Sequence, residues 1–355
     1  MNGPVFAALD VGGTKIAAAL VDEDGTVLRR DRVPTPREGA DAVLRAAARL
    51  LNDLSGTTDH DRRDAADRGR DGVTPYGRDG AADRGRDDAA VRRPGGAAGR
   101  GLGRTAVRGL GVGAPGVVDP ATGRVVSATD VLPGWAGADV RGTLAALTGL
   151  PVTVVNDVRA MAYGEARAGA GAGHHRVLHV SVGTGVGGAL TVGGRLEHGA
   201  HGTAGELAHL LVPEEGPIPC GCGRRDHLEA VASGPAIAVT GDTPRAGALL
   251  GRALAGLLAV LDPDAVVIGG GVAQIGAPFL DAVTTAFRHE ALPPLRATPI
   301  LPARLGTDAP LVGAALLAHN ALLAHDALLA HDALLAHDAP PTPAAETATS
   351  PGSLR

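Results

Sequence analysis

Residues 205–234, GELAHLLVPEEGPIPCGCGRRDHLEAVASG, form the most chemically loaded stretch of the chain. Both cysteines, Cys220 and Cys222, lie there with His209 and His227, and Glu206 and Glu229 stand beside them. Thiolates and imidazoles crowded like this are the donor set of a small closed zinc site. The Cys-x-Cys spacing is tighter than the commoner Cys-x-x-Cys, and the alternative is a Gly/Pro-rich surface loop with two free thiols. Acids next to such a knot suit a loop that a metal braces while its carboxylates grip something polar.

Two further stretches are suited to anions. Asp10-Val11-Gly12-Gly13-Thr14-Lys15 and Gly183-Thr184-Gly185-Val186-Gly187-Gly188 each turn out of an apolar run through glycines. Glycine bares backbone N–H groups and lets a phosphate come close. The Thr14 hydroxyl and the Lys15 charge add to the first turn. Asp10 would repel phosphate, so its natural role is to hold hydrated Mg²⁺ beside it. Each turn leads into another strand, unlike a P-loop or a dinucleotide fingerprint, both of which open a helix. A third turn, Gly269-Gly270-Gly271, ends the run DAVVIG. Asn156-Asp157 closes PVTVV and opens a helical stretch, where α/β proteins place catalytic groups. The local alternative is that one of the pair simply caps that helix.

These residues need strands that end in turns. PVFAALD, TKIAAALV and GTVLRRDRV read as three strands, with the hairpin signal DEDG between the last two. Apolar spacing predicts a helix over 38–54. A strand is expected in 107–119, a turn and helix after LPGW, a strand at 151–155 and a helix after Asp157. Two strands flank the 183–188 loop. Helices are expected over 228–239, 244–261 and 276–291, strands over 264–273 and near 298–301, and a last helix from near Pro310.

Residues 56–101 differ in kind. DAADRGRD at 64–71 returns as GAADRGRD at 80–87, and ten arginines nearly cancel nine aspartates between residues 56 and 100. So little apolar surface cannot offset ordering entropy, which predicts a disordered insertion. The aspartates argue against an RNA-binding arm. Near the end, ALLAHN is followed by three copies of ALLAHD through Asp338. Six residues advance a helix by about 600°, or about 240° net. The leucine pairs and His319, His325, His331 and His337 therefore spiral, and only the first one or two copies can pack on one face. Residues 339–355 read as a disordered tail.

The chain of 355 residues suffices for two medium domains. Aromatics make up only 2% and glycine accounts for 53 residues, so the cores must be Ala, Val and Leu. A net charge of -5 argues against a nucleic-acid surface. No uninterrupted apolar run of about 18 residues predicts a membrane span, and the N-terminus lacks a signal-peptide pattern. Two cysteines one residue apart make no disulfide framework, so a cytoplasmic setting is expected.

Taken in order, DVGGTK (10–15), GVGAPG (111–116), LPGW (132–135), VND (155–157), GTGVGG (183–188), GELAH (205–209), CGCG with LE (220–229), ASG (232–234) and VVIGGGV (266–272) resemble the ROK family of sugar kinases and repressors. The resemblance runs from about residue 5 to 320, outside 56–101. It implies an α/β, two-domain actin-like ATPase fold with an interdomain cleft. Residues 1–120, completed by a C-terminal helix at about 310–325, would form one domain, 121–309 a larger one with the sugar clamp and zinc loop, and 326–355 a repeat and tail. It implies an ATP-dependent hexose kinase using Mg²⁺ and structural Zn²⁺, with glucose first and N-acetylated amino sugars second, and a homodimer. Asp157 would be the general base, already ionised at an ordinary carboxylate pKa. Asn156, Asp157, Glu206, His209 and Glu229 would bind the sugar. Asp10, Gly12, Gly13, Thr14, Lys15, Gly183, Thr184 and Gly185 would hold the ATP phosphates, and Gly234 and Gly269–Gly271 the adenosine. Zinc would be held by His209, Cys220, Cys222 and His227, with His227 where the family has a third cysteine and Asp226 where glycine is usual. Asp130 stands where an asparagine is expected, Ala208 where a glycine is, and the segment from Ile237 to Gly251 is short. The family's repressor branch carries a helix-turn-helix domain before the first strand, and only nine residues precede Asp10 here. A catalytically degenerate sugar-binding protein is the remaining alternative.

Overall fold

The computed structural model describes residues 3–56, 107–128, 132–212 and 217–337. Most of the expected insertion, Asp130 and the tail after His337 lie outside these residues. The chain opens with three antiparallel strands, β1 (Val5–Val11), β2 (Lys15–Asp22) and β3 (Val27–Pro34), then helix α1 (Ala40–Ser55). Next come β4 (Val107–Ala114), the short pair β5 (Val117–Val118) and β6 (Val125–Ser127), α2 (Val140–Thr148), β7 (Val152–Asn156) and α3 (Asp157–Ala168). A second meander follows: β8 (Arg176–Val182), β9 (Val186–Val192) and β10 (Arg195–Glu197). Then come α4 (Leu228–Ala232), α5 (Gly234–Thr240), α6 (Thr243–Leu261), β11 (Ala265–Gly269), α7 (Ala277–Glu290), β12 (Ile300–Pro302) and α8 (Ala309–His337).

The strands form two five-stranded sheets of matching order, β3-β2-β1-β4-β7 and β10-β9-β8-β11-β12. In each, an antiparallel meander supplies three strands, and crossovers add two parallel ones beside the first. The turn between the first two strands of each meander is one of the two glycine turns found in the sequence. The functional loops thus sit at the carboxyl ends of parallel strands, where open α/β sheets bind ligands.

β1 is apolar along its length because both of its faces are covered. Leu9, Val11 and Ile16 join Leu44 and Leu51 of α1, Leu144 of α2 and Trp135 in one core. Phe6, Ala8 and Ala19 face Leu311, Ala314, Ala315 and Ala318 of α8 in another. A third core fills the second sheet with α4–α7, around Phe279 and Phe287. α6 is the one helix among the described residues long and apolar enough to cross a membrane, but it lies in this core along Leu249, Leu250, Leu254 and Leu258.

One expectation needs correction. The stretch 228–239 is two short helices: Pro235 has no amide hydrogen to donate to the Val231 carbonyl, so α4 cannot run on into α5, and the break falls at Ser233, whose ψ is 160°. The first sheet draws on residues on both sides of position 120, since β7 is its fifth strand. The last helix runs from Ala309 to His337, into the repeat, as a sequence of alanine and leucine favours. Its packed face does end early, with Ala318 and Leu316 buried and Leu323 already 53% exposed.

With so few rings, close packing is achieved by bringing backbones together. A Cβ on Gly313 of α8 would lie 1.7 Å from the Ala160 carbonyl oxygen of α3, and one on Gly164 would lie 2.5 Å from the Ala309 carbonyl. Gly313→Ala should therefore force the two helices apart and cost about 3 kcal/mol. Urea denaturation of both proteins measures this, and a loss below about 0.5 kcal/mol would show that the crossing is not tight.

Candidate active site

Asp10 ends β1 and Asp157 follows β7, with β4 between the two strands. The register sets Asp10 beside Gly113 and Gly113 beside Val155. Gly113 keeps the space between the two acids open: a Cβ there would be 3.6 Å from Asp10 Oδ1 and 3.5 Å from Asp157 Cα. Burial drives the Asp157 carboxyl up to about 7, and the charge of Asp10 pushes the same way. Burial raises Asp10 to about 6, with the Lys15 charge opposing it. The expectation of an ordinary, fully ionised Asp157 is thus corrected: two carboxyls share a poorly solvated site and titrate as a pair near neutrality. Such a donor set suits a divalent cation, whose charge would favour both ionised forms.

Both local readings of Asn156-Asp157 hold at once. The Asn156 side-chain oxygen caps α3 by accepting the Arg159 amide at 3.2 Å. Its amide donates to the Gly116 carbonyl at 3.0 Å and to Asp157 Oδ1 at 2.9 Å. Both amide protons are thus spent within the protein, one on holding Asn156 to Gly116 and the other on orienting Asp157. Asp157 Oδ1 also accepts its neighbour's amide, from Val158 at 2.9 Å. Trp135 donates its indole N–H to the Pro115 carbonyl at 3.0 Å, fixing the LPGW turn to the GVGAPG turn.

In the first glycine turn, Gly12 donates to the Lys15 carbonyl at 2.9 Å, and Thr14 and Lys15 stand exposed. Thr35, buried and unremarkable in the sequence, ties this turn down by donating its hydroxyl to the Gly12 carbonyl at 2.6 Å and its amide to the Thr14 carbonyl at 3.1 Å. The second and third turns meet each other. Gly183 donates to the Gly185 carbonyl and its own carbonyl accepts from Gly234, both at 2.8 Å. Val272 donates to the Val182 carbonyl at 2.9 Å, and Gly270, at φ 88°, lies so close that a Cβ would stand 2.3 Å from the same oxygen. Gly183, Gly185, Gly234 and Gly269–Gly271 are thereby brought together, with Thr184 exposed at the tip.

Glu229 reaches this cluster: its Oε2 accepts the Val186 amide at 3.0 Å, at the foot of the second turn. Glu206 Oε1 accepts the amides of Leu207 and Ala208 at 3.1 Å each, and its charge acts on both Asp157 and Arg159. His209, Cys220, Cys222 and His227 each bring one ligand atom to within 4.8 Å of the others, a group that could hold a metal ion. Nδ1 of His227 lies 3.2 Å from Nδ1 of His209 and 3.2 Å from Cys222 Sγ. Two nitrogens on a tetrahedral zinc at about 2.0–2.1 Å would stand about 3.3 Å apart, so the residues fit that ion. Asp226 explains the glycine expected before His227: its φ is 62°, which a bulky side chain resists. It holds this conformation while its carboxylate accepts the Ile218 amide at 2.7 Å.

Two buried charges in α3 escaped the sequence reading. Arg159 donates to three backbone carbonyls of the 197–204 stretch. Glu165, fully buried, accepts the amides of Ala170, Arg304 and Leu305 at 2.7, 3.0 and 2.7 Å and so joins α3 to the loop after β12. A periodicity argument passes over both, because in a helix of alanines they read as exposed polar positions.

This paired-sheet architecture, with two acids flanked by glycine hairpins, has its counterpart among known proteins. The chain matches the ROK family over residues 6–60, 102–245 and 240–321. It belongs to the ROK family. Its fold is that of the ROK sugar kinases, the actin-like ATPase fold. The chain is 34% identical to a glucokinase of Halalkalibacterium halodurans, over 58% of this chain and 74% of that one. It is 30% identical to an N-acetylmannosamine kinase of Escherichia coli over 88% and 97% of the two chains. Among solved structures, a ROK glucokinase of Streptomyces griseus in complex with glucose and AMPPNP superposes with a TM-score of 0.68 at 28% identity, covering 89% of this chain and 99% of that one. A groove of about 590 Å³ on the outer side of α6, lined by Leu211, Leu249, Arg252, Glu290 and Leu292, contains none of the residues named above for this ROK protein's site.

The raised Asp157 pKa has a sign that stability can test. The folded protein holds this proton more tightly than an unfolded chain, whose carboxyl titrates near 3.8. The stabilisation is full below that value and is lost as pH rises to about 7. Asp157→Asn removes the loss, so its stability gain over wild type should grow between pH 5 and pH 8, by on the order of 2–4 kcal/mol. A gain that does not vary with pH would mean that Asp157 is solvated.

Proposed function

We propose that this ROK protein is an ATP-dependent hexose kinase that transfers the γ-phosphoryl group to the sugar 6-hydroxyl, with glucose the first candidate and N-acetylmannosamine or N-acetylglucosamine the second. The observation that carries the reading is Asp157: a carboxyl pushed up to about 7, at the end of a parallel strand, beside Asp10 and the first glycine turn. A base poised near neutral pH is matched to taking a proton from a hydroxyl as that oxygen attacks phosphorus. Phosphoryl transfer asks mainly for alignment and charge stabilisation, which is what strand ends, capped helices and bare amides provide.

In this reading Asn156 aims Asp157, while Glu206 and Glu229 bind sugar hydroxyls through the oxygens not already engaged. His209 offers Nδ1 to the metal knot and leaves Nε2–H to donate to the sugar. The amides of Gly13 and Thr14 and the Lys15 ammonium face phosphate oxygens, as do the amides of Thr184 and Gly185, while the Gly12 and Gly183 amides hold the two turns closed; Gly234 and Gly269–Gly271 line the adenosine side. Asp10 would hold Mg²⁺, which neutralises phosphate charge when bound. Zinc on His209, Cys220, Cys222 and His227 would brace the loop that carries Glu206 and Glu229. The relatives named glucokinase and N-acetylmannosamine kinase support the substrate class, with glucose and N-acetylmannosamine named directly among the three candidates.

The purified protein, supplied with ATP, Mg²⁺ and zinc, should phosphorylate one or more of glucose, N-acetylmannosamine and N-acetylglucosamine in a coupled assay. Asp157→Asn should lower kcat by at least about 10³-fold while sugar binding by calorimetry is largely kept. A wild type that binds sugar but transfers no phosphate would instead identify a degenerate binding protein. For the metal, wild type should carry about one zinc per chain by elemental analysis, and His227→Ala should lose most of it. Equal zinc in both proteins would remove His227 from the site.

A further inference from the structure

Arg159 lies two residues past Asp157, in the first turn of α3, and is 6% exposed. A buried guanidinium is costly unless its donors are used. Here Nη1 donates to the Glu197 carbonyl at 2.9 Å, and Nη2 donates to those of Gly202 and Ala204 at 2.8 and 3.0 Å. The three acceptors span the loop 198–205, which has no helix or strand of its own between β10 and Glu206. That loop bends through Gly199, Gly202 and Gly205, with φ of 67°, 73° and 84°, so its own backbone holds it weakly. At its far end Gly205 seats against β9, where a Cβ would come within 2.6 Å of the Leu190 nitrogen. The next residue is Glu206, whose charge acts favourably on Arg159 and raises Asp157.

We infer that Arg159 is a positioning residue: it fastens the loop leading into Glu206 to the same helical turn that presents Asp157, so that the acceptor sugar and its base are located by one rigid unit. The inference rests on the kinase reading for its catalytic consequence and on geometry alone for the fastening. Lysine cannot replace it fully, because a single ammonium does not span three carbonyls as a planar fork does. Asp157 and Glu206 themselves make no side-chain bond to each other among the described hydrogen bonds, so Arg159 supplies the link between the segments that carry them.

The test uses the full chain as wild type, Arg159→Met and Arg159→Lys. Hydrogen exchange without ligand should show residues 198–206 losing protection by roughly tenfold or more in Arg159→Met, with β1, β4 and β7 unchanged. With glucose, or whichever panel sugar is turned over, the sugar KM should rise roughly tenfold or more while the ATP KM and zinc content hold, and Arg159→Lys should fall between. Unchanged protection of the loop would overturn the inference, as would a variant in which kcat falls and the sugar KM stays. If Arg159→Met does not fold, the exchange and KM of Arg159→Lys decide. If the wild type phosphorylates none of the sugars, the kinase reading falls, and exchange still decides whether Arg159 holds the loop.

Discussion

Helix α3 is held so tightly that the residue opening it has almost no freedom. Its middle is wedged against α8, where Gly164 and Gly313 let the two backbones nearly touch. Its end is fixed by Glu165, which spends both carboxylate oxygens on amides of the chain beyond. Its start is capped by Asn156. Each restraint uses backbone atoms or a buried charge, so none can slide as a pair of large apolar side chains could. Asp157 inherits its position from all of them. This matters in a chain whose aromatic content is 2%, because it has few large rings to wedge its layers in place.

The cost of the arrangement is electrostatic. Asp10 and Asp157 are drawn toward one space over Gly113, where water solvates them poorly and each disfavours the charge of the other. A purely structural protein would place apolar side chains there. Carboxyls shifted this far by burial and by each other are the mark of a functional site more than of a structural one.

Much of this was legible in the sequence, and for local reasons. The strands are apolar runs bounded by glycine turns, so β1, β2, β8, β9 and β11 fall where pattern places them. The metal group and the three glycine turns are local clusters, and the structure brings the cluster members together. What escaped is non-local. The pKa of Asp157 depends on burial and on a partner nearly 150 positions away by chain order. Arg159 and Glu165 find their acceptors in distant segments. The break at Ser233 was readable, since Gly234-Pro235 is a stop signal, but helical spacing across it masked the interruption. Asp226 in a left-handed conformation becomes intelligible only when its carboxylate is seen on the Ile218 amide.

The way α8 leaves the protein also bears on how its gene can change. The side chains of α8 that join the cores are Leu311–Ala318, with Leu322 packed at their edge. Each ALLAHD copy beyond that edge adds six residues, or about 9 Å of helix, without shifting anything upstream. Loss or gain of a whole copy would alter the length of this rod and leave Gly313 and its close approach to Ala160 in register. The same six-residue change inside Leu311–Ala318 would instead rotate the rest of the packed face by about 240° and take it off α3.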